Sequence, residues 1–162
     1  MNKKQLKAIL AFAAKEDVRY YLNGILVDFD NRLVVASDGG MIVVHSGVEN
    51  LHGEGSVIIP RFAVEMALKK GFFGGCLITP TEINGIPFAP INETYPDYRR
   101  VIPTSFDDEF KLGMLTSSRV KCVEDLQSAF GEIRFASHGR GNPYGKGYSV
   151  ELVVMRRSVE LL

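Results

Sequence analysis

The side chains in this sequence that could do chemistry are few and scattered. Three histidines, His45, His52 and His138, are scattered along the chain. A zinc site needs several ligands brought together, usually at short recognisable spacings, and these histidines show none. No Ser-His-Asp or Cys-His pattern with a recognisable nucleophile turn is present. The sequence therefore predicts a protein that is not an enzyme and that uses no metal and no cofactor.

Glycine-rich stretches often carry phosphate binding, and the sequence has several of them. The glycine pairs at 39–40 and 74–75 match neither the P-loop nor the dinucleotide-binding pattern. The segment GRGNPYGKG, residues 139–147, holds Arg140 and Lys146, which could meet phosphate. A flexible hairpin loop is the favoured interpretation of this segment.

The segment YPDYRRVIP, residues 95–103, is the densest cluster of side chains suited to binding. Its two prolines stiffen the chain, and its two tyrosines offer apolar area with a polar tip. Arg99 and Arg100 can each pair with a carboxylate or a phosphate through two parallel hydrogen bonds. The composition fits a linker that packs its aromatics down, and it equally fits a binding edge.

The overall composition is that of a folded domain. The 162 residues suit one domain, or one domain plus part of a second, and 46% of them are hydrophobic. The 19 basic and 19 acidic residues cancel, so only their placement can speak for or against nucleic acid. No apolar run reaches the roughly 18 residues of a membrane span, and no secretion signal is recognisable. We expect a cytoplasmic protein in which Cys76 and Cys122 are reduced thiols.

Hydrophobic periodicity predicts three helices, each associated with short strands. The first helix runs to about Lys15, and the second covers Arg61 to Lys70. The third begins at Ser117 or Ser118 and ends at Phe130. Its predicted inward positions are Val120, Val123, Leu126 and Phe130.

Strands are expected over 19–29, 32–37, 41–45, 56–60, 109–116, 132–138 and 148–155, with two or three more between 75 and 92. Asp38-Gly39-Gly40 interrupts one strand run, which predicts a bulge or a place where something approaches the backbone closely. Three such units of one helix with a few strands, stacked with helices on one side of antiparallel sheets, form an α+β fold.

Four motifs, taken in order, resemble the bacterial sliding clamp, the beta subunit of DNA polymerase III. They are KEDVRYYLNGIL at 15–26, LVVASDGGMIVV at 33–44, SVIIPRFAVE at 56–65 and YPDYRRVIP at 95–103. The resemblance implies a DNA-clamp fold in which 1–103 is similar to the middle domain of the clamp. Residues 104–162 are similar to part of its last domain, through VEDLQSAFGEIRF and ELVVMRR. The pattern suggests a cut-down clamp such as a phage or prophage encodes.

Clamps of this family close around duplex DNA and contact it mainly through phosphates, without reading sequence. The resemblance implies a homo-oligomeric processivity factor of DNA replication. The implied DNA-binding residues are Lys3, Lys4, Lys7, Arg61, Lys69 and Lys70.

Clamps also dock short peptides of polymerases and clamp loaders in an apolar pocket between their middle and last domains. Carried over motif by motif, the pocket wall here is Ser37, Gly39, Gly40, Met41, Ile42, Pro96, Arg100, Val101, Val153 and Met155. Gly40 and Met41 stand where the family usually has His-Arg. The alternative function is a peptide-binding decoy that keeps this pocket and sequesters replication proteins without forming a ring.

Overall fold

The computed structural model describes residues 1–104, 117–138, 142–147 and 149–154. Within these ranges the α-helices are α1 (Lys3–Leu10), α2 (Arg61–Lys70) and α3 (Ser117–Phe130). The strands are β1 (Gly24–Asp28), β2 (Leu33–Ser37), β3 (Met41–Ser46), β4 (Ser56–Pro60), β5 (Glu82–Ile83), β6 (Ile86–Pro87), β7 (Arg134–His138), β8 (Asn142–Lys146) and β9 (Val150–Val154). The strand predicted at 109–116 and the pocket residue Met155 lie outside the described residues.

Seven of the described strands form one antiparallel sheet in the order β4-β1-β2-β3-β9-β8-β7. Its central seam is the pairing of β3 with β9, where Ile42 lies opposite Val153. This pairing joins a strand from residues 1–103 to a strand from residues 104–162, the two parts that the sequence predicts to be separate domains. The domain boundary at residue 103 stays a prediction. β5 and β6 form a separate small hairpin around the predicted Asn84-Gly85 turn.

α1 begins with a capping box, because Asn2 and Gln5 exchange side-chain and backbone hydrogen bonds at 2.9 and 2.8 Å. The helix ends at Leu10, so the predicted extension to Lys15 is wrong. Beyond it, Phe12 and Ala13 turn inward and are buried, and the Ala14 N–H donates to the Leu22 carbonyl. The chain leaves the α-helical path through two tighter hydrogen bonds, from the Phe12 N–H to the Ile9 carbonyl and from the Ala13 N–H to the Leu10 carbonyl.

The predicted bounds of α2 and α3 are confirmed. α2 ends at Lys70 and is followed by Gly71, whose φ of 75° suits glycine. In α3, Val123 and Leu126 are buried, whereas Val120 is 37% exposed, so its predicted inward position is wrong. Periodicity identifies the face of a helix but not how far the neighbouring elements extend to cover it.

The two faces of the sheet carry different cores, because successive strand residues point to opposite sides. On the helix face, Met41 and Val43 of β3 join the larger core under the three helices. On the other face, Ile42 and Val44 join a smaller apolar cluster. Residues 91–102 cover this second face, and we call them the strap.

Two predictions for glycine-containing segments, a bulge and a flexible loop, need correction. Asp38-Gly39-Gly40 is not a bulge but the turn of the β2–β3 hairpin, since Ser37 pairs with Ile42 across it. The segment expected to be a flexible loop contains β8, Asn142–Lys146, which pairs with both β7 and β9. The strands on either side of it in the chain, β7 and β9, supply the hydrogen bonds that make this glycine-rich segment a strand.

Candidate functional site

The first candidate site is a groove between α1 and α2, which brings four of the six predicted DNA-binding residues together. The groove encloses about 430 Å³ and is lined by Lys3, Lys7, Leu10, Ala11, Arg61, Glu65, Leu68 and Lys69. Lys3, Lys7 and Lys69 are exposed on it. Their ammonium groups can therefore meet an anionic ligand along the outer side of the helix pair.

Arg61 differs from the other basic residues because its guanidinium group already has partners. Its Nη1 atom donates to the carbonyl oxygens of Leu10 and Ala13 at 3.1 and 2.8 Å. Its Nε atom donates to Glu65 at 2.9 Å, and the side chain is only 17% exposed. Arg61 thus ties the start of α2 to the end of α1, where carbonyl groups lack helical partners.

The two remaining candidates lie at the margins of the groove. Lys4 lines a second, smaller groove of about 190 Å³ between α1 and α3, together with Asp125. Lys70 points towards the β5–β6 hairpin, where its Nζ atom lies 3.5 Å from the Asn84 carbonyl oxygen. The positive charge is thus spread along α1 and the last turn of α2, and Glu65 and Asp125 partly offset it.

The second candidate site, the predicted peptide pocket, is divided by the sheet. Met41 is 2% exposed and belongs to the core under the helices, so it cannot line a pocket with its neighbour Ile42. Ile42, Val153 and Val101 do come together, in the cluster beneath the strap. Ile42 and Val153 are 3% and 1% exposed, which leaves the half-buried Val101 as the accessible member of this group.

Two further pocket candidates belong to the strap but not to this cluster. Pro96 lines a groove of about 840 Å³ between the strap and strands β1 and β4. The Arg100 side chain is 84% exposed and its Nε atom lies 3.4 Å from Asp97. Pro96 therefore shares its groove with Leu26 and Ile58 of the apolar cluster, whereas the Arg100 side chain projects into solvent.

The β2–β3 turn holds the remaining predicted pocket residues. The Asp38 carboxylate accepts hydrogen bonds from the Gly40 and Met41 amides, both at 2.7 Å, and the Ser37 hydroxyl donates to the Met41 carbonyl at 2.8 Å. Gly39 has a φ of 79°, which favours glycine. The turn is therefore fixed by its own side chains.

Two arginines beside this turn were missed by the sequence reasoning. A Cβ atom on Gly39 would lie 2.5 Å from Nη2 of Arg19, and one on Gly40 would overlap Nη2 of Arg119. The prediction that something approaches the backbone at these glycines is thus confirmed, with two guanidinium groups from this chain. Arg119 lies in none of the motifs and far from the turn in sequence, whereas Arg19 lies in the clamp-like motif at 15–26 but was not assigned to the site.

The tyrosines of the strap pack down, as the linker interpretation predicts, and the binding-edge interpretation stays a prediction. Tyr98 is 6% exposed, and the Tyr21 and Tyr95 rings meet edge to face with centroids 6.1 Å apart. Burial raises the pKa of both Tyr95 and Tyr98. In the described part of the chain, neither hydroxyl has a hydrogen-bond partner.

Solved structures of other proteins share this arrangement of helices and strands. The DNA polymerase sliding clamp from Pseudomonas aeruginosa superimposes with a TM-score of 0.67 over 97% of this chain, at 16% sequence identity. The chain has the sliding-clamp fold. The expected α+β clamp architecture, with helices on one side of antiparallel strands, is thereby confirmed.

Other structures with the sliding-clamp fold match equally well. The Helicobacter pylori beta clamp bound to a DNA ligase peptide has a TM-score of 0.68 at 15% identity, over 97% of this chain. A DNA polymerase III beta subunit from Eubacterium rectale, described as putative, has a TM-score of 0.68 at 11% identity, over 96% of this chain. The chain spans about two thirds of the length of these clamps, 66% for the Pseudomonas protein and 63% for the other two.

The likeness to sliding clamps is one of structure, since the sequence identities are low. No protein-family model and no curated protein sequence matches the chain. None of the helices in the described ranges is long and apolar enough to cross a membrane.

Proposed function

We propose that this protein is a sliding-clamp-like factor of DNA replication, which contacts duplex DNA through α1 and α2 and docks replication peptides at the strap. The observation that carries the proposal is the exposed basic side of α1 and α2 within a sliding-clamp fold. Lysines on a helix surface attract phosphates whatever the base sequence, which is the mode of contact that a sliding protein needs.

The DNA-contacting set is Lys3, Lys4, Lys7, Lys69 and Lys70. Arg61 supports this set by holding the two helices together, since its guanidinium group is engaged by carbonyl groups and Glu65. The protein is not an enzyme in this proposal, and it acts as a homo-oligomer that surrounds DNA.

Peptide docking is proposed at the group formed by Ile42, Val101 and Val153. Because Ile42 and Val153 are nearly fully buried, a peptide side chain reaches them only when part of the covering strap moves aside. The Helicobacter pylori clamp was solved with a DNA ligase peptide, so a labelled copy of that peptide is a suitable probe.

The DNA part is tested by duplex binding measured by fluorescence anisotropy at several salt concentrations. The variant Lys7→Glu with Lys69→Glu should bind a duplex at least about tenfold more weakly, with a log–log salt slope reduced by roughly two. Arg99→Glu with Arg100→Glu changes the net charge equally on the opposite face of the sheet and should leave duplex binding intact. Equal losses in both double variants would contradict a DNA contact by α1 and α2.

The peptide part is tested with the ligase peptide and the variant Val101→Asp, which places a charge over the apolar group. Peptide binding should be lost in this variant and kept in Val18→Asp, whose side chain is 89% exposed elsewhere. If the unmodified protein does not bind the peptide, docking at the strap is refuted.

A second candidate function is the peptide-binding decoy. Glu65 and Asp125 in the lysine grooves favour it, because they lower the positive potential that DNA would meet. Light scattering across a range of protein concentrations separates the two functions. A monomer at every concentration that binds the peptide but not the duplex would establish the decoy, and an oligomer that binds the duplex would exclude it.

A further inference from the structure

The loop after α2 presents an isolated aromatic ring to solvent. Phe73 is 104% exposed, the highest value among the large apolar side chains of the described residues. Its neighbour Phe72 packs against the core on the helix face. Gly71 and Gly74, with φ values of 75° and 78°, allow the chain to bury one ring while the next projects outward.

Three lysines lie near the base of this loop, two by their position in the chain and one by a spatial contact. Lys69 and Lys70 form the last turn of α2, and the Nζ atom of Lys3 lies 3.6 Å from the Cβ position of Gly71. Within the described residues none of the three lysines forms an ion pair. No acidic residue occurs between positions 66 and 81. The loop therefore joins a projecting ring to three lysines that form no ion pair, although Glu65 shares the groove with Lys3 and Lys69.

We infer that Phe73, with Lys3, Lys69 and Lys70, forms a binding site for single-stranded nucleic acid. Ammonium groups attract the phosphates, and the exposed ring offers a face on which an unpaired base can stack. In a duplex the bases are already stacked on one another, so Phe73 adds binding only where a strand is unpaired. The inference rests on the proposed DNA contact and extends it from the duplex to its single-stranded continuation.

The chemistry of the loop favours this ligand over an apolar one. A protein partner or a lipid surface would be recognised by a contiguous apolar patch. The immediate neighbours of Phe73 are instead a packed ring, glycines and, at the helix end, lysines. A lone ring near lysines matches a ligand that carries planar bases on an anionic backbone.

The test compares two labelled strands of equal length and charge, an oligo-dT and the same backbone with abasic sites, by fluorescence anisotropy. The unmodified protein should bind oligo-dT more tightly than the abasic strand. Phe73→Ala should weaken oligo-dT binding roughly five- to tenfold and leave the abasic strand unchanged. Phe73→Leu, which keeps an apolar side chain without a ring, should behave like Phe73→Ala.

The matched control is Phe62→Ala, near the other end of α2. The Phe62 ring is 58% exposed and lies three residues before Glu65 in the same helix. It should not change the preference for oligo-dT. Lys70→Glu should weaken binding of both strands, because it removes attraction for the backbone alone.

Several outcomes would overturn the inference. One is a Phe73→Ala variant with the same preference for bases as the unmodified protein. Another is Phe73-dependent binding to anionic lipid vesicles without any preference between the two strands. If duplex binding persists in either case, the proposed function stands while the inference about Phe73 fails. If neither duplex nor single strand binds, both fail together.

Discussion

The Nη1 atom of Arg61, the first residue of α2, lies 2.8 Å from the carbonyl oxygen of Ala13, just beyond the end of α1. The same atom also reaches the Leu10 carbonyl, which accepts the Ala13 N–H as well, so one side chain bonds two carbonyl groups at and just beyond the end of the helix. A residue that the motif comparison assigned to DNA contact is therefore engaged in holding the helix pair.

Arg61→Ala should lower the free energy of unfolding by about 1–3 kcal/mol, because it removes hydrogen bonds from a charged donor to half-buried carbonyls. Arg61→Lys should recover only part of this loss, since an ammonium group cannot reproduce the planar fork. Urea unfolding followed by circular dichroism measures both. Lys69→Ala is the control, with an expected change within about 0.5 kcal/mol. An Arg61→Ala variant of unchanged stability but weaker duplex binding would return Arg61 to the DNA-contacting set.

Substitutions at Met41 and Val101 should separate an effect on stability from an effect on peptide binding. Met41→Ala should cost about 2–5 kcal/mol of stability, because the side chain is 2% exposed in the core under the helices. Val101→Ala removes less buried area and should lower stability much less, while it weakens binding of the ligase peptide. Urea unfolding and peptide anisotropy on the same two proteins provide the measurement. Weaker peptide binding in a stable Met41→Ala protein would show that Met41 does line the pocket.

Gly24 and Gly40 should respond differently to the same substitution. A Cβ atom on Gly24 would overlap the backbone carbonyl of Ile59 on the paired strand, which has no room to move. Gly24→Ala should therefore destabilise by about 1–3 kcal/mol. At Gly40 the overlapping group is the end of the flexible Arg119 side chain, so Gly40→Ala should cost much less. Thermal unfolding of both variants tests this order, and a reversed order would refute the packing argument.

Stability should fall in mild acid because of His45. Burial lowers its pKa from 6.5, although the Ser149 carbonyl, 2.8 Å from Nδ1, favours the protonated ring. The unfolded state thus binds the proton more tightly than the folded state. The stability contributed by neutral His45 is complete above about pH 6.5 and is lost as the pH falls towards the lowered pKa.

Urea unfolding at pH 7.5 and pH 5.5 measures this effect, and His45→Gln should show a smaller difference between the two values. His52→Gln, at an exposed histidine, is the control and should keep the full difference. The centroids of the Phe130 and His45 rings lie 4.8 Å apart. The loss of stability in acid should therefore include loosening of the end of α3. Identical pH dependence in the His45→Gln variant and the unmodified protein would contradict this origin.

The sequence was most informative where local chemistry decides the structure. α2 was bounded correctly because apolar periodicity, Lys69-Lys70 and Gly71 all agree on one helix and its end. β4 and the Asn84-Gly85 turn were found for the same reason. The four clamp-like motifs led to the fold, which the solved clamps confirm over nearly the whole chain.

Errors arose where contacts with other elements decide the outcome and the segment's own residue pattern does not. β8 was missed because its hydrogen bonds come from β7 and β9, and a glycine-rich segment has no strand pattern of its own. α1 was predicted too long because Phe12 and Ala13 fit a helical face as well as they fit the turn that buries them.

The sequence by itself determined the helices with clear ends, the basic character of α1 and α2, and the composition of the strap. Only the tertiary structure decided how those residues are used. The pleat of β3 sends Met41 to one face and Ile42 to the other, and the closeness of α1 and α2 commits Arg61 to carbonyl groups. The physical reason is that residue type limits which contacts a side chain can make, whereas packing determines which of those contacts form.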